Sequence, residues 1–240
     1  METEQLARIA AAVRGSSATY ARYQPLRIAG TELEGWIATT SVVRSRTLAF
    51  GEWFPKLGLD RLDLRGRTVL DVGCNTGSVC LEASRAGAAR VVGVDADTRI
   101  IEHASIWSAL AALDVVWPLA CAVAFEVGDV RSAGARFDVV LCLSVLQHVH
   151  ELRSAVHALA DRTAGTLVLE IQTPASEVPH VALDELPDLI ANPVAGETYG
   201  HGHFPTMTCM MHTLRELGFA RFSHVGPGRV CGREVLHAHR

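Results

Sequence analysis

Lysine is almost absent: of 22 basic residues only Lys56 is lysine, and the other 21 are arginine. There is no excess of base either, because 26 acidic residues leave a formal net charge of −4. A general nucleic-acid binder needs surplus positive charge to displace counterions from phosphates, so that class is disfavoured. The imbalance is uneven. Residues 1–68 carry 10 basic and 7 acidic groups and residues 69–240 carry 12 and 19, which confines any basic surface to the first quarter. No apolar run reaches the roughly 18 residues of a spanning helix, so no membrane association is expected. Met1–Ala12 is acidic and amphipathic where a secretory leader would be basic and then apolar, which predicts a cytoplasmic protein. The six cysteines (Cys74, Cys80, Cys121, Cys142, Cys209, Cys231) form no Cys-x-x-Cys pair. Buried, reduced thiols are therefore expected in place of disulfides or a metal site. Internal repeats and low-complexity tracts are also missing. What is present is apolar bulk, 49% of 240 residues, enough for one large domain with an appended segment.

The first 66 residues read as a helical prelude. Glu4–Arg14 has helical apolar spacing, Thr40–Pro55 is a second apolar-aromatic stretch, and Tyr20–Glu34 connects them. From Arg67 onward strand, glycine turn and helix alternate: Thr68–Val72, Arg90–Val94, Ala122–Val127, Phe137–Leu143 and Thr166–Ile171 are short apolar runs. Helices are expected over Gly77–Gly87, Thr98–Leu113, Leu152–Ala160 and Thr206–Leu217. Continuous apolar strands separated by helices imply an α/β, doubly wound, parallel sheet buried on both faces. Phe219–Val225 and Glu234–His239 follow, joined by a Gly226–Gly228 turn, and strands so joined pair antiparallel. Residues 173–203 break the rhythm with four prolines and five acids and read as an insertion or lid. The organisation expected is a cap over 1–66 and a ligand-binding catalytic unit over 67–240.

The segment Val69-Leu70-Asp71-Val72-Gly73-Cys74-Asn75-Thr76-Gly77 runs from a strand through a glycine turn into a helix. It is not a dinucleotide fingerprint, since Asn75 and Ser78 stand where glycines belong, and it lacks the Gly-Lys-Ser/Thr of a P-loop. Asp71 at the strand end suits a ligand bearing an amino group and a sulfonium better than a pyrophosphate. Asp95 closes the second strand, where an acid can accept both ribose hydroxyls. Asp129 ends the third, within reach of an adenine amino group. The ordinary alternative is that each acid caps the helix after it.

Together, Asp71-x-Gly73-x-x-x-Gly77, Gly93-Val94-Asp95, Gly128-Asp129 and Phe137-Asp138-Val139-Val140 resemble the successive motifs of class I S-adenosylmethionine-dependent methyltransferases. The resemblance covers about residues 67–240. It implies a Rossmann-like, mostly parallel seven-stranded sheet whose last strand is antiparallel, and S-adenosyl-L-methionine as cofactor. The methionine moiety would lie at Asp71 and along Gly73, Cys74, Asn75, Thr76 and Gly77, the ribose on Asp95, and the adenine between Ala96 and Val130. A narrower likeness joins Leu143-Ser144-Val145-Leu146-Gln147-His148, Leu167–Glu170, His203-Phe204-Pro205-Thr206 and the stretch around Arg46 and Trp53 to the bacterial tRNA wobble-uridine carboxymethyltransferase family. It places Leu143, Ser144 and Arg46 near the cofactor. Gln147 replaces that family's aromatic residue, so the likeness speaks for the scaffold more than for tRNA.

Methyl transfer is chiefly positioning, so few residue types are obligatory. His148 is the candidate general base, and Glu170 the carboxylate that would orient an acceptor N–H or O–H. Tyr20, Tyr23, Trp36, Gln147, His201, His203 and Phe204 are candidate acceptor contacts. His201-x-His203 has no third ligand at a known spacing, so no metal is expected. His237 and His239 read as surface residues. The leading expectation is a methyltransferase acting at nitrogen or oxygen of a small molecule, as a monomer or homodimer. A tRNA-modifying enzyme and a non-methylating S-adenosylmethionine-binding protein are the alternatives.

Overall fold

A computed structural model describes residues 26–28, 31–33, 54–132, 134–149, 151–173, 205–228 and 233–240. The strands are β1 (Leu26–Ile28), β2 (Thr31–Leu33), β3 (Thr68–Val72), β4 (Arg90–Asp95), β5 (Val123–Val127), β6 (Phe137–Leu143), β7 (Thr163–Gln172), β8 (Arg221–Pro227) and β9 (Arg233–His239). The helices are α1 (Ser78–Arg85), α2 (Thr98–Ala111), α3 (Leu152–Arg162) and α4 (Met207–Glu216). β1 and β2 form a small antiparallel hairpin. The other seven strands make one sheet in the order β5-β4-β3-β6-β7-β9-β8, in which only β9 runs antiparallel to its neighbours. The seven-stranded fold class expected of residues 67–240 is thus what the chain adopts. The helical prelude expected over 1–66 lies mostly outside the described residues, and the connection expected over Tyr20–Glu34 holds the β1–β2 hairpin.

Two cores follow from the two-residue alternation of the strands. Val69, Val91, Val139, Leu141, Val168 and Val235 pack under α1 and α2. Leu70, Val92, Val140, Leu167, Leu169 and Leu236 pack under α3 and α4. The strand order reverses between β3 and β6, and the loops leaving their carboxyl ends diverge there. Ligands of open α/β sheets settle at such a point.

Two expectations need correction at the C-terminal hairpin. Gly226-Pro227-Gly228 is not its turn. Gly226 and Pro227 remain paired with Val235 and Glu234, and the register shifts between His224 and Gly226. Gly226 takes φ 119, the conformation that a bulge asks of glycine, and Pro227 is tolerated because β8 is an edge strand. His237 is not at the surface either. It is buried, and its Nε2 lies 2.8 Å from the Leu57 carbonyl. Strand alternation was read correctly, but residues around Leu57 cover that face.

Burial is the main cause that lowers the His237 pKa from its ordinary 6.5. The folded state therefore resists a proton that the unfolded chain takes up at 6.5. Stability is fully present above that value and is lost as pH falls from there through the lowered folded value. Urea unfolding at pH 7.5 and 5.5 should show the lower stability at 5.5, and His237→Gln should shrink the difference.

Candidate active site

The turn after β3 sets the local geometry. Gly73 has φ 70, Asn75 φ 51 and Gly77 φ 81, three left-handed residues that fold the chain back before α1 begins. All five amides of the turn are used internally. Gly73 and Cys74 N–H donate to the Val94 carbonyl at 2.8 and 3.0 Å, and Gly77 N–H to the Cys74 carbonyl at 3.0 Å. Asn75 N–H donates to Asp95 Oδ2 at 3.1 Å, and Thr76 N–H to Asn75 Oδ1 at 2.8 Å. A pyrophosphate cradle needs such amides to point outward. The amides of residues 73–77 are therefore not offered to a phosphate, and the surface presented suits a cationic or zwitterionic ligand.

Beneath the turn lies Asp71, fully buried. The Cys80 thiol donates to its Oδ2 at 3.4 Å. Burial above all, with the Cys74 hydrogen bond and the Asp71 carboxylate, pushes the Cys80 thiol pKa up, so it stays protonated as a donor. Above the turn, the loop after β6 closes in: a Cβ on Gly73 would stand 2.2 Å from Val145 Cγ2. Gly73→Ala thus combines a steric clash with a strained φ. A loss of about 1–3 kcal/mol is expected, read as a lower melting temperature. Adding Val145→Ala should recover the steric part alone.

The three acids behave differently. Asp95 is no helix cap; Asp97 caps α2, accepting from Arg99 N–H at 2.9 Å. Asp95 instead ties two loops together, Oδ2 to Asn75 and Oδ1 to Asp97 N–H at 3.1 Å. Each of its oxygens keeps a further lone pair, which fits two ribose hydroxyls. Asp129 is engaged locally: its carboxylate accepts from Arg131 N–H at 2.8 Å and Arg131 Nη2 at 2.5 Å. The Arg131 hydrogen bond is the main cause that lowers its pKa. An adenine amino group would have to share it. Ala96, exposed, and Val130, buried, follow β4 and β5 at the same edge.

The fourth and fifth strand ends meet directly. Ser144, at φ 65, donates its N–H to the Glu170 carbonyl at 2.8 Å, and its hydroxyl donates to Glu170 Oε2. Glu170 is fully buried, on the face of β7 that pairs with Val235. Gln147 and His148 lie in a short 3₁₀ turn after Leu143 and Ser144. Gln147 Nε2 is 2.7 Å from the Ser144 carbonyl and 3.2 Å from His148 Nε2. Burial and the Arg233 positive charge lower the His148 pKa.

The structure thus gathers Gly73–Gly77, Asp95, Ala96, Leu143, Ser144, Gln147, His148 and Glu170 at one sheet edge. Tyr20, Tyr23, Trp36, Arg46, His201, His203 and Phe204 lie outside the described residues. Three contributors were missed from the sequence. Val145 closes on Gly73, Arg233 acts on His148, and a Cβ on Gly228 would lie 2.7 Å from Glu170 Oε1. An arginine opening the last strand was the one available signal. Among the described residues no group of His, Cys, Asp and Glu could hold a metal ion, and no helix is long and apolar enough to cross a membrane.

A family model described as a methyltransferase domain matches residues 44–224. A ubiquinone biosynthesis O-methyltransferase of Brucella anthropi is 39% identical over 87 residues, 36% of this chain and 33% of that protein. The match spans about a third of the length of such curated relatives. Among solved structures, magnesium protoporphyrin IX methyltransferase from Synechocystis PCC 6803 with bound SAM aligns at 23% identity and TM-score 0.54, covering 77% of this chain and 74% of that one. An S-adenosylmethionine-dependent methyltransferase from Mesorhizobium loti aligns at 17% identity and TM-score 0.53, covering 78% and 97%. These two share the fold.

Proposed function

The chain belongs to the methyltransferase-domain family, and from that premise we propose that it methylates an oxygen or nitrogen atom of a small molecule, in bacterial specialised metabolism. The cofactor of such enzymes, S-adenosylmethionine, supplies a methyl group activated by a sulfonium. The observation that carries the reading is the self-satisfied turn at 73–77 beside the two-loop carboxylate of Asp95. Together they refuse a pyrophosphate and accept a ribose. Asp71 beneath the turn adds negative potential for an amino group and a sulfonium. Ala96 and Val130 would flank the adenine, and Leu143, Ser144 and Arg46 would complete the cofactor contacts. Residues 1–66 would cap this unit and 173–203 would close over the acceptor, bringing Tyr20, Tyr23, Trp36, His201, His203 and Phe204 to it.

Most of the rate would come from holding acceptor and methyl in line, an effect worth up to about 7–11 kcal/mol. Glu170 enters as a positioning residue, since its carboxylate holds the Ser144 loop. His148 is held neutral by burial and Arg233, so it can take the acceptor's proton when its hydrogen bond to Gln147 opens. The O-methyltransferase names of the relatives favour oxygen as the methylated atom.

Methyl-labelled S-adenosylmethionine, incubated with the small-molecule fraction of a bacterial extract, should leave label on a low-mass product. Label on tRNA, with binding that weakens steeply in salt, would move the reading to a tRNA-modifying enzyme. Cofactor binding without any transfer would make the chain a non-methylating binder.

A further inference from the structure

Gln147 is 6% exposed, and its Oε1 is buried and accepts no hydrogen bond among the described residues. The amide cannot turn around to relieve this. Its other end faces the Ser144 carbonyl at 2.7 Å, and a carbonyl only accepts, so the NH2 group must stay there. The second hydrogen of that group points to His148 Nε2 at 3.2 Å, which makes Nε2 an acceptor and puts the proton of the neutral ring on Nδ1. Ser144 is in turn held by Glu170 through both backbone and side chain. The chain Glu170–Ser144–Gln147 therefore locks a bare acceptor atom at the carboxyl end of β6, within the loop that packs on Gly73. Buried acceptors left unpaired are costly and uncommon.

We propose that Gln147 Oε1 recognises the methyl acceptor by accepting a hydrogen bond from it, so that the acceptor class is one carrying an N–H or O–H donor. This rests on the methyltransferase reading of the same crevice. Ethers, tertiary amides and tertiary amines of the same shape would leave Oε1 unpaired and be rejected. No bond changes at Gln147; its role is specificity.

The test uses matched probes on the full chain loaded with S-adenosylhomocysteine: catechol against 1,2-dimethoxybenzene, and benzamide against N,N-dimethylbenzamide, with binding read by ligand-observed NMR. Donor-bearing members should bind roughly 10- to 100-fold more tightly than their methylated counterparts. In Gln147→Leu, or in Gln147→Met should the first variant fold poorly, that ratio should fall to about 1. A merely structural role would weaken both members alike and leave the ratio unchanged. Equal binding within each pair by the parent protein, or binding of no probe, overturns the proposal. S-adenosylhomocysteine affinity measured beforehand separates the cases: its absence defeats the methyltransferase reading, its presence without donor preference defeats this proposal alone.

Discussion

Asp95→Ala is expected to weaken S-adenosylmethionine binding by about 100-fold or more. Two hydroxyl-to-carboxylate hydrogen bonds are involved, each worth about 1.5–3 kcal/mol because the acceptor is charged. The same carboxylate holds Asn75 and Asp97 N–H groups, so the variant should also melt at a lower temperature. Asp95→Asn separates the two effects. It keeps one oxygen acceptor and fills the same space, and its affinity should fall between those of the parent and Asp95→Ala. Calorimetry gives both affinities directly. Unchanged binding in Asp95→Ala would remove Asp95 from the cofactor site and leave its role as a loop tie.

Glu82→Ala should cause the largest loss of stability, about 3–5 kcal/mol. Glu82 is buried on α1 and accepts from two arginines. Arg27 Nε and Nη2 reach its two oxygens at 3.2 and 2.7 Å, and Arg85 Nη1 reaches Oε1 at 2.5 Å. Arg85 continues to the Trp117 carbonyl at 3.0 Å and to Asp114 at 3.4 Å, and Arg27 stacks 5.3 Å from the Trp117 ring. Alanine would strip the shared anion from Arg27, whose side chain is 27% exposed, and from the buried Arg85, leaving Arg85 the longer contact to Asp114. Breaking a buried ion pair is the expensive case. Urea unfolding measures the loss. A change under about 1 kcal/mol would mean that water replaces the carboxylate. Because Arg27 lies on β1, the network also joins the hairpin before residue 66 to the sheet unit.

The alternation of apolar runs and glycine turns made the sheet legible. β3 and β6 begin and end where the pattern placed them, and the helices differ from expectation by a few end residues. Chain-local chemistry dictates these elements: two-residue or helical spacing, and a left-handed turn that only small or amide side chains permit. The carboxylates at strand ends were equally visible, but their duties were not. Asp95 and Asp97 are two residues apart and look interchangeable as helix caps. Only the position of Asn75 N–H, 20 residues earlier in the chain, gives Asp95 the loop tie and leaves Asp97 the cap.

Arginine in place of lysine and an acidic total disfavoured a general nucleic-acid binder and left a crevice of carboxylates as the feature to explain. Composition and local pattern determined that much, because strand, turn and charge are each written in neighbouring residues. Tertiary structure alone decided the rest. It buried His237 under Leu57, turned the amides of Gly73, Cys74 and Asn75 onto Val94 and Asp95, and brought Glu170 to Ser144. Those outcomes depend on β9 entering between β7 and β8 and on the β6 loop closing over Gly73. Such long-range packing leaves no periodic trace in the chain, since each contact joins segments that carry no mark of one another.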